Sequence, residues 1–156
     1  MKTELVSNWM SYDVITVTPD TRLIDAHNTL REYNIRRLPV VDAGNNLVGI
    51  VTLGDIREAS PSDATTLSIW ELNYLLAKLP IKEVMTANPI TVYTTDTIAQ
   101  AARLMMENKI SGLPVLEPVN NTLKGVITES DIFRLVVQTW DGIKSNVAGV
   151  ENLGDI

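Results

Sequence analysis

At 156 residues, 45% of them apolar, the chain has room for one compact domain or for two small, intimately packed ones. Its net charge of -6 argues against nonspecific nucleic-acid binding, which depends on clustered Lys and Arg, and its lack of cysteine rules out disulfides and thiolate metal sites. No run approaches the roughly eighteen apolar residues of a membrane helix, and Met1-Lys2-Thr3-Glu4 lacks a secretory pattern, so a cytoplasmic location without membrane or nucleic-acid partners is expected.

In chain order, Ile15-Thr16-Val17 reads as a short strand ended by Thr18-Pro19-Asp20-Thr21. Asp20 or Thr21 can cap a helix with apolar residues at Leu23, Ala26 and Leu30. His27, the only histidine, lies on that apolar face and reads as a core or interface residue, since no Cys or second His completes a metal site. The β-branched run Leu38 to Val41, the turn Ala43-Gly44-Asn45-Asn46 and the run Leu47 to Thr52 form two strands and their connection, with a helix from about Gly54. After the polar stretch Ser60 to Thr66, Ser68-Ile69-Trp70-Glu71 supplies a capping box for a helix through Leu72, Leu75, Leu76 and Leu79, which Pro80 stops. This insert is read as a structured linker whose leucine face packs on the body, or alternatively as a surface for a partner.

The same pattern then returns. Met85-Thr86-Ala87-Asn88-Pro89-Ile90-Thr91-Val92 repeats Met10 to Val17, Leu113-Pro114-Val115-Leu116-Glu117 repeats Leu38 to Asp42, and Gly125-Val126-Ile127-Thr128-Glu129-Ser130-Asp131-Ile132 repeats Gly49 to Ile56. The offset is 75 residues up to the Asn45-Asn46 turn and 76 beyond it, so one inserted residue explains the mismatch. Thr95 or Asp96 caps the second copy of the helix, carrying Ile98, Ala101, Ala102 and Met105. An α/β (α+β) fold follows: two β-α-β-β-α units about a pseudo-twofold axis, with two equivalent clefts and helices on one face of each sheet. The expected division is unit 1 at 1–58, a linker with its helix at 59–80, unit 2 at 81–140, and a weakly ordered tail at 141–156 containing Gly142, Gly149 and Gly154. Met10, Met85, Met105 and Met106 read as core filling, and no Walker loop, G-x-S-x-G or H-E-x-x-H motif gives catalysis a footing.

Two copies of strand-Thr-helix followed by h-x-x-L-P-V-V and G-h-h-T-x-x-D resemble a tandem pair of cystathionine-β-synthase (CBS) domains, a Bateman module, over Val6 to Arg57 and Ile81 to Phe133. The insert is similar to that of CBS proteins of the acetoin-utilisation type, whose longer members add an ACT domain; the stretch after Trp140 is too short to hold one. The resemblance implies a noncatalytic regulatory module that binds AMP, ADP, ATP or S-adenosylmethionine between its repeats and pairs as a homodimer, matching apolar faces at Leu23/Leu30 and Ile98/Met105. A regulated protein partner is also expected.

By the same resemblance, Thr52 and Asp55, and Thr128 and Asp131, meet the ribose and phosphate side of the ligand. The chemistry suits this: a carboxylate accepts from both hydroxyls of a ribose diol, while threonine donates or accepts. Their alternative role is simple helix capping, and the two roles can coexist. Adenine is implied near Ile35 or Ile110, against the strand bearing Thr16 or Thr91, where Pro39 or Pro114 lacks an N–H and leaves main-chain groups for an adenine edge. The clefts differ, because Arg36 and Arg37 precede the first Leu-Pro whereas Ser111 and Gly112 stand at the matching places in the second repeat. These arginines, with Arg134, either clamp phosphates or, for Arg36 and Arg37, pair with Asp42 or Glu32. Loss of Asp131 is expected to weaken binding by about 1.5 to 3 kcal/mol without unfolding. The competing reading is a ligand-free dimerisation or interaction scaffold.

Overall fold

The two apolar runs of each repeat form antiparallel hairpins in the structure, a computed structural model that describes residues 3–59 and 68–151. Side chains at 69, 72, 75 and beyond 142 fall outside that description, as do residues 60–67 and 152–156, so the expectations for Leu72, Leu75, Ser60 to Thr66, Gly149 and Gly154 lie there too. Helix α1 (Leu23–Glu32) precedes strands β1 (Arg37–Val41) and β2 (Leu47–Thr52), and β2 runs directly into α2 (Leu53–Ala59). The insert helix α3 (Ile69–Lys78) is followed by β3 (Thr86–Ala87), β4 (Val92–Tyr93), α4 (Ile98–Asn108), β5 (Gly112–Leu116), β6 (Leu123–Thr128) and α5 (Glu129–Glu151). The sheets have the orders β1-β2-β3 and β4-β5-β6. Helix α5 continues to Glu151, where a weakly ordered tail is expected from 141.

The strand expected at Ile15-Thr16-Val17 is reduced to one parallel bridge between Val17 and Val40, and its counterpart is the two-residue β4 paired with β5. Proline sets that limit. Val17 N–H donates to the Pro39 carbonyl and Val41 N–H to the Val17 carbonyl, but the next rung would need an N–H from Pro39 itself. Pro114 occupies the same place beside β4.

Capping follows chemistry that only partly matches expectation. Ser68 and Glu71 form the capping box of α3. For α4 the cap is Thr97 rather than Thr95 or Asp96, because Gln100 three residues on completes a reciprocal box: its N–H donates to Thr97 Oγ1 at 3.1 Å and its Oε1 accepts from Thr97 N–H at 2.7 Å. Helix α1 starts after Arg22 with no side-chain cap, so neither Asp20 nor Thr21 serves; the Leu23 N–H is met instead by the Leu79 carbonyl at 2.8 Å. The pseudo-equivalent donor, Ile98 N–H, is met by the Glu4 carbonyl at 2.9 Å.

That correspondence extends along both opening segments. Ile81 N–H donates to the Thr21 carbonyl at 2.7 Å, and Val6 N–H to the Asp96 carbonyl at 2.8 Å. Strand β3 adds to β2 through Gly49 opposite Ala87 and Ile50 opposite Thr86, while Ser11 bridges Val126 on β6. Each repeat therefore lends its first residues to the other. The first core holds Val17, Leu23, Ala26, Leu30, Leu38, Val40, Val51 and Ile56 together with Ile81, and the second holds Val92, Ile98, Ala101, Met105, Leu113, Val115 and Ile127 together with Val6 and Met10. Neither core is built from contiguous residues.

Leu23, Leu30, Ile98 and Met105 are buried within these cores, so the faces matched to a dimer contact are consumed by each unit's own sheet. On α4 and α5 the exposed apolar residues are others, Met106 on α4 and Phe133, Val136, Val137 and Trp140 on α5. Leu76 and Leu79 at the end of the insert pack against the first core, as a structured linker requires. Met10 and Met105 fill the second core, Met85 packs against the first, and Met106 is exposed. His27 is half-buried on α1.

Matching turns carry matching backbone. Asn34 and Lys109 are left-handed with φ of 51° and 54°, and so are Asn45 and Asn121 with φ of 61° and 57°. Asn tolerates this region through local hydrogen bonding. The Asp42 carboxylate accepts from Asn46 main chain and side chain and from Gly44 N–H, which holds its pKa below the ordinary value. The two hairpin turns meet where Leu123 N–H donates to the Asn45 carbonyl at 3.4 Å and Asn45 Nδ2 donates back at 3.3 Å.

Candidate functional site

Two clefts lie between the repeats, and each draws one wall from either half. The first, with a cavity volume of about 520 Å³, joins Ile35, Arg36, Arg37 and Pro39 to Thr128, Glu129 and Ser130. The second, about 750 Å³, joins Ile110, Ser111, Gly112 and Pro114 to Thr52, Gly54 and Asp55. Thus the Leu-Pro stretch of one repeat always faces the T-x-x-D turn of the other. Thr16 and Thr91 line neither cleft; their neighbours Ile15 and Ile90 do, beside the rung that Pro39 and Pro114 cannot supply.

In both T-x-x-D turns the aspartate accepts from the threonine N–H, and in the first the threonine hydroxyl also caps the helix. Thr52 N–H donates to Asp55 Oδ2 at 2.8 Å and Asp55 N–H donates to Thr52 Oγ1 at 3.1 Å, while Asp55 Oδ1 has no partner among the described residues and the side chain borders the second cleft. Asp131 is more deeply committed. It is 3% exposed, its Oδ2 accepts from Thr128 N–H at 2.9 Å and Thr128 Oγ1 at 3.1 Å, and its Oδ1 accepts from Arg134 at 2.7 Å. It sits behind the wall of the first cleft rather than on it. Asp131→Ala is accordingly expected to lower stability by about 1–3 kcal/mol, the usual cost of leaving the partners of a buried hydrogen-bonding group unmet, readable as a shift in urea midpoint. A binding measurement on that variant carries this structural loss with it.

Arg37 stands between the clefts and lines both. Its Nη2 donates to Ser111 Oγ at 2.6 Å, and a Cβ at Gly112 would collide with its guanidinium, so the pair Ser111-Gly112 provides the seat for Arg37. Burial first, and then Arg36, pull its pKa below the ordinary guanidinium value; the fields of Glu129 and Asp131 oppose that shift. Arginine nevertheless remains charged at neutral pH. Neither Arg36 nor Arg37 pairs with Asp42 or Glu32: among the described residues the ion pairs are Lys82 with Asp20 and Arg134 with Asp131. Arg134 is spent on Asp131 and lines neither cleft.

Two cationic residues at the second cleft are absent from the sequence expectations, Arg57 on α2 and Lys109 at the end of α4. Comparison of the repeats could have found them, since their pseudo-equivalents are the uncharged Phe133 and Asn34. Among the described residues no cluster of His, Cys, Asp and Glu could hold a metal ion, and no helix is long and apolar enough to cross a membrane.

Paired β-α-β-β-α units with interrepeat clefts define a tandem two-site module. The chain belongs to the CBS domain family, whose model matches residues 6–62 and 81–138. A CBS domain-containing protein of Dictyostelium discoideum is 33% identical over 139 residues, covering 89% of this chain and 95% of that one. Among solved structures, the CBS domain pair of protein MJ0100 in complex with 5'-methylthioadenosine and S-adenosyl-L-methionine is 30% identical, with a TM-score of 0.73 over 88% of this chain and 99% of that one. CBSX2 in complex with AMP is 29% identical, with a TM-score of 0.74 over 87% and 98%. A putative acetoin utilization protein from Vibrio cholerae is 26% identical, with a TM-score of 0.75 over 92% and 98%, in keeping with the resemblance of the insert.

Proposed function

We propose that the chain is a noncatalytic regulatory module that senses an adenosine-containing ligand in the clefts between its CBS units. The observation that carries this is the shared construction of each cleft: a molecule seated there touches both repeats and stabilises one arrangement of them. In the second cleft Asp55 Oδ1 and Thr52 meet a ribose diol, Ile110 and Pro114 border the base, and Ser111 and Gly112 hold Arg37 toward phosphate. In the first, Thr128, Ile35 and Pro39 play the matching parts, with Ile15 at the truncated strand edge where an adenine edge finds a main-chain partner. Asp131 and Arg134 act there by fixing the turn. AMP, ADP, ATP and S-adenosylmethionine are the candidate ligands, supported by AMP and S-adenosyl-L-methionine in similar structures.

A homodimer fits the exposed residues Phe133, Val136, Val137 and Trp140, which recur at helical spacing along α5. The same surface, with the exposed Trp70 and Tyr74 of the insert, favours the ligand-free scaffold as second reading. A cytoplasmic module acting on a regulated partner is the accompanying expectation. Thermal shift separates the readings. At a hundredfold excess over its dissociation constant a true ligand adds about 2.7 kcal/mol, a rise of roughly 5–10 °C in Tm for a chain of this size. Stabilisation by none of AMP, ADP, ATP, S-adenosylmethionine or NAD would leave only the scaffold.

A further inference from the structure

We infer that the two clefts are sorted by charge: the second takes a phosphate-bearing adenine nucleotide, and the first takes an adenosine derivative without phosphate, uncharged or cationic. The inference rests on the reading of both clefts as adenosine sites. Arg36 and Arg37 border each of them, so the difference comes from four other residues.

Arg57 and Lys109 line only the second cleft, where Asp55 is the single carboxylate on the wall. Asp13 and Glu129 line only the first, where they offset the two arginines. The repeats differ in charge at all four of these positions: Arg57 answers to Phe133, Lys109 to Asn34, Asp13 to Asn88 and Glu129 to Leu53. The duplicated frame is thus the same while the charge lining it is not. Lys109 adds a conformational argument. It occupies a left-handed helix end with φ of 54°, a place that favours Gly or Asn and holds Asn34 in the other repeat. A lysine kept there in spite of its backbone brings an ammonium group to the cleft. Four cations around one carboxylate attract a phosphate, whereas two cations matched by two carboxylates do not repel a neutral nucleoside or a sulfonium.

Calorimetric titration of the full chain with AMP and with adenosine tests this. The wild-type chain is expected to prefer AMP over adenosine at one site by about tenfold or more, as befits one or two charge-assisted bonds. Arg57→Ala with Lys109→Asn, which removes the two cations that line only the second cleft, is expected to lower that ratio severalfold while Arg36 and Arg37 remain. Asp13→Asn with Glu129→Gln, which removes the carboxylates that line only the first cleft, is expected to raise AMP affinity there and leave the strong AMP site in place. A preference for AMP that the first pair leaves undiminished, or that disappears in the second, overturns the sorting while adenosine recognition stands. A wild-type chain that binds neither compound overturns the adenosine reading and the sorting together.

Discussion

Ile81→Ala is expected to lower stability by about 2–5 kcal/mol and to do so through the first unit, although the residue opens the second repeat. Ile81 is fully buried among Leu23, Leu30, Val40 and Val51, and its N–H is held by the Thr21 carbonyl. Truncation leaves a cavity in a core whose other members all come from the first repeat, and a fixed hairpin can close over it only in part. Urea unfolding gives the size of the loss. Amide hydrogen exchange gives its place: protection should fall first along β1 and β2 and less along β5 and β6. Loss confined to β5 and β6 would mean that the opening segments are not exchanged in solution.

Gly125→Ala is the second large effect, at about 1–3 kcal/mol for an overpacked site. An added Cβ would lie 2.5 Å from the Ser11 carbonyl oxygen and 3.0 Å from Met10 Sδ. Relief requires the crossing segment to withdraw, which breaks the bonds Ser11 N–H to Val126 O at 3.0 Å and Val126 N–H to Ser11 O at 3.1 Å. The requirement is for space, because no described glycine has positive φ. Gly112→Ala provides the contrast, since its Cβ meets the movable end of Arg37 and is expected to cost less than about 1 kcal/mol in stability. Equal loss of Tm in the two variants would show that the backbone at Ser11 is as free to move as a guanidinium.

The repeat frame was legible because hydrophobic runs, turns and the Ser68/Glu71 box are local signals, and a pattern written twice checks itself. Thr97 was not singled out because Thr94-Thr95-Asp96-Thr97 offers several acceptors in a row, and only the Gln100 partner decides among them. The exchange of opening segments was hidden for a different reason. Met10 and Met85 stand at the same place in both repeats, so the pattern says that they are buried but not in which core. Apolar spacing at Leu23/Leu30 and Ile98/Met105 likewise reports burial, and the helix's own sheet claims it before any second chain can. Asp55 and Asp131 read alike in sequence, but Asp131 is bonded to Arg134, where the first copy has Glu58, and its carboxylate has no free oxygen for a ligand.

Crossed opening segments also govern the order in which the chain can mature during synthesis. The hairpin of the first repeat leaves the ribosome long before Ile81, so it must wait with an open seam for a residue not yet translated. Val6 and Met10, made at the start, find their seats only after Ile127 has emerged. Such distant pairing slows the search for the native state and puts both halves under one late, concerted closing step.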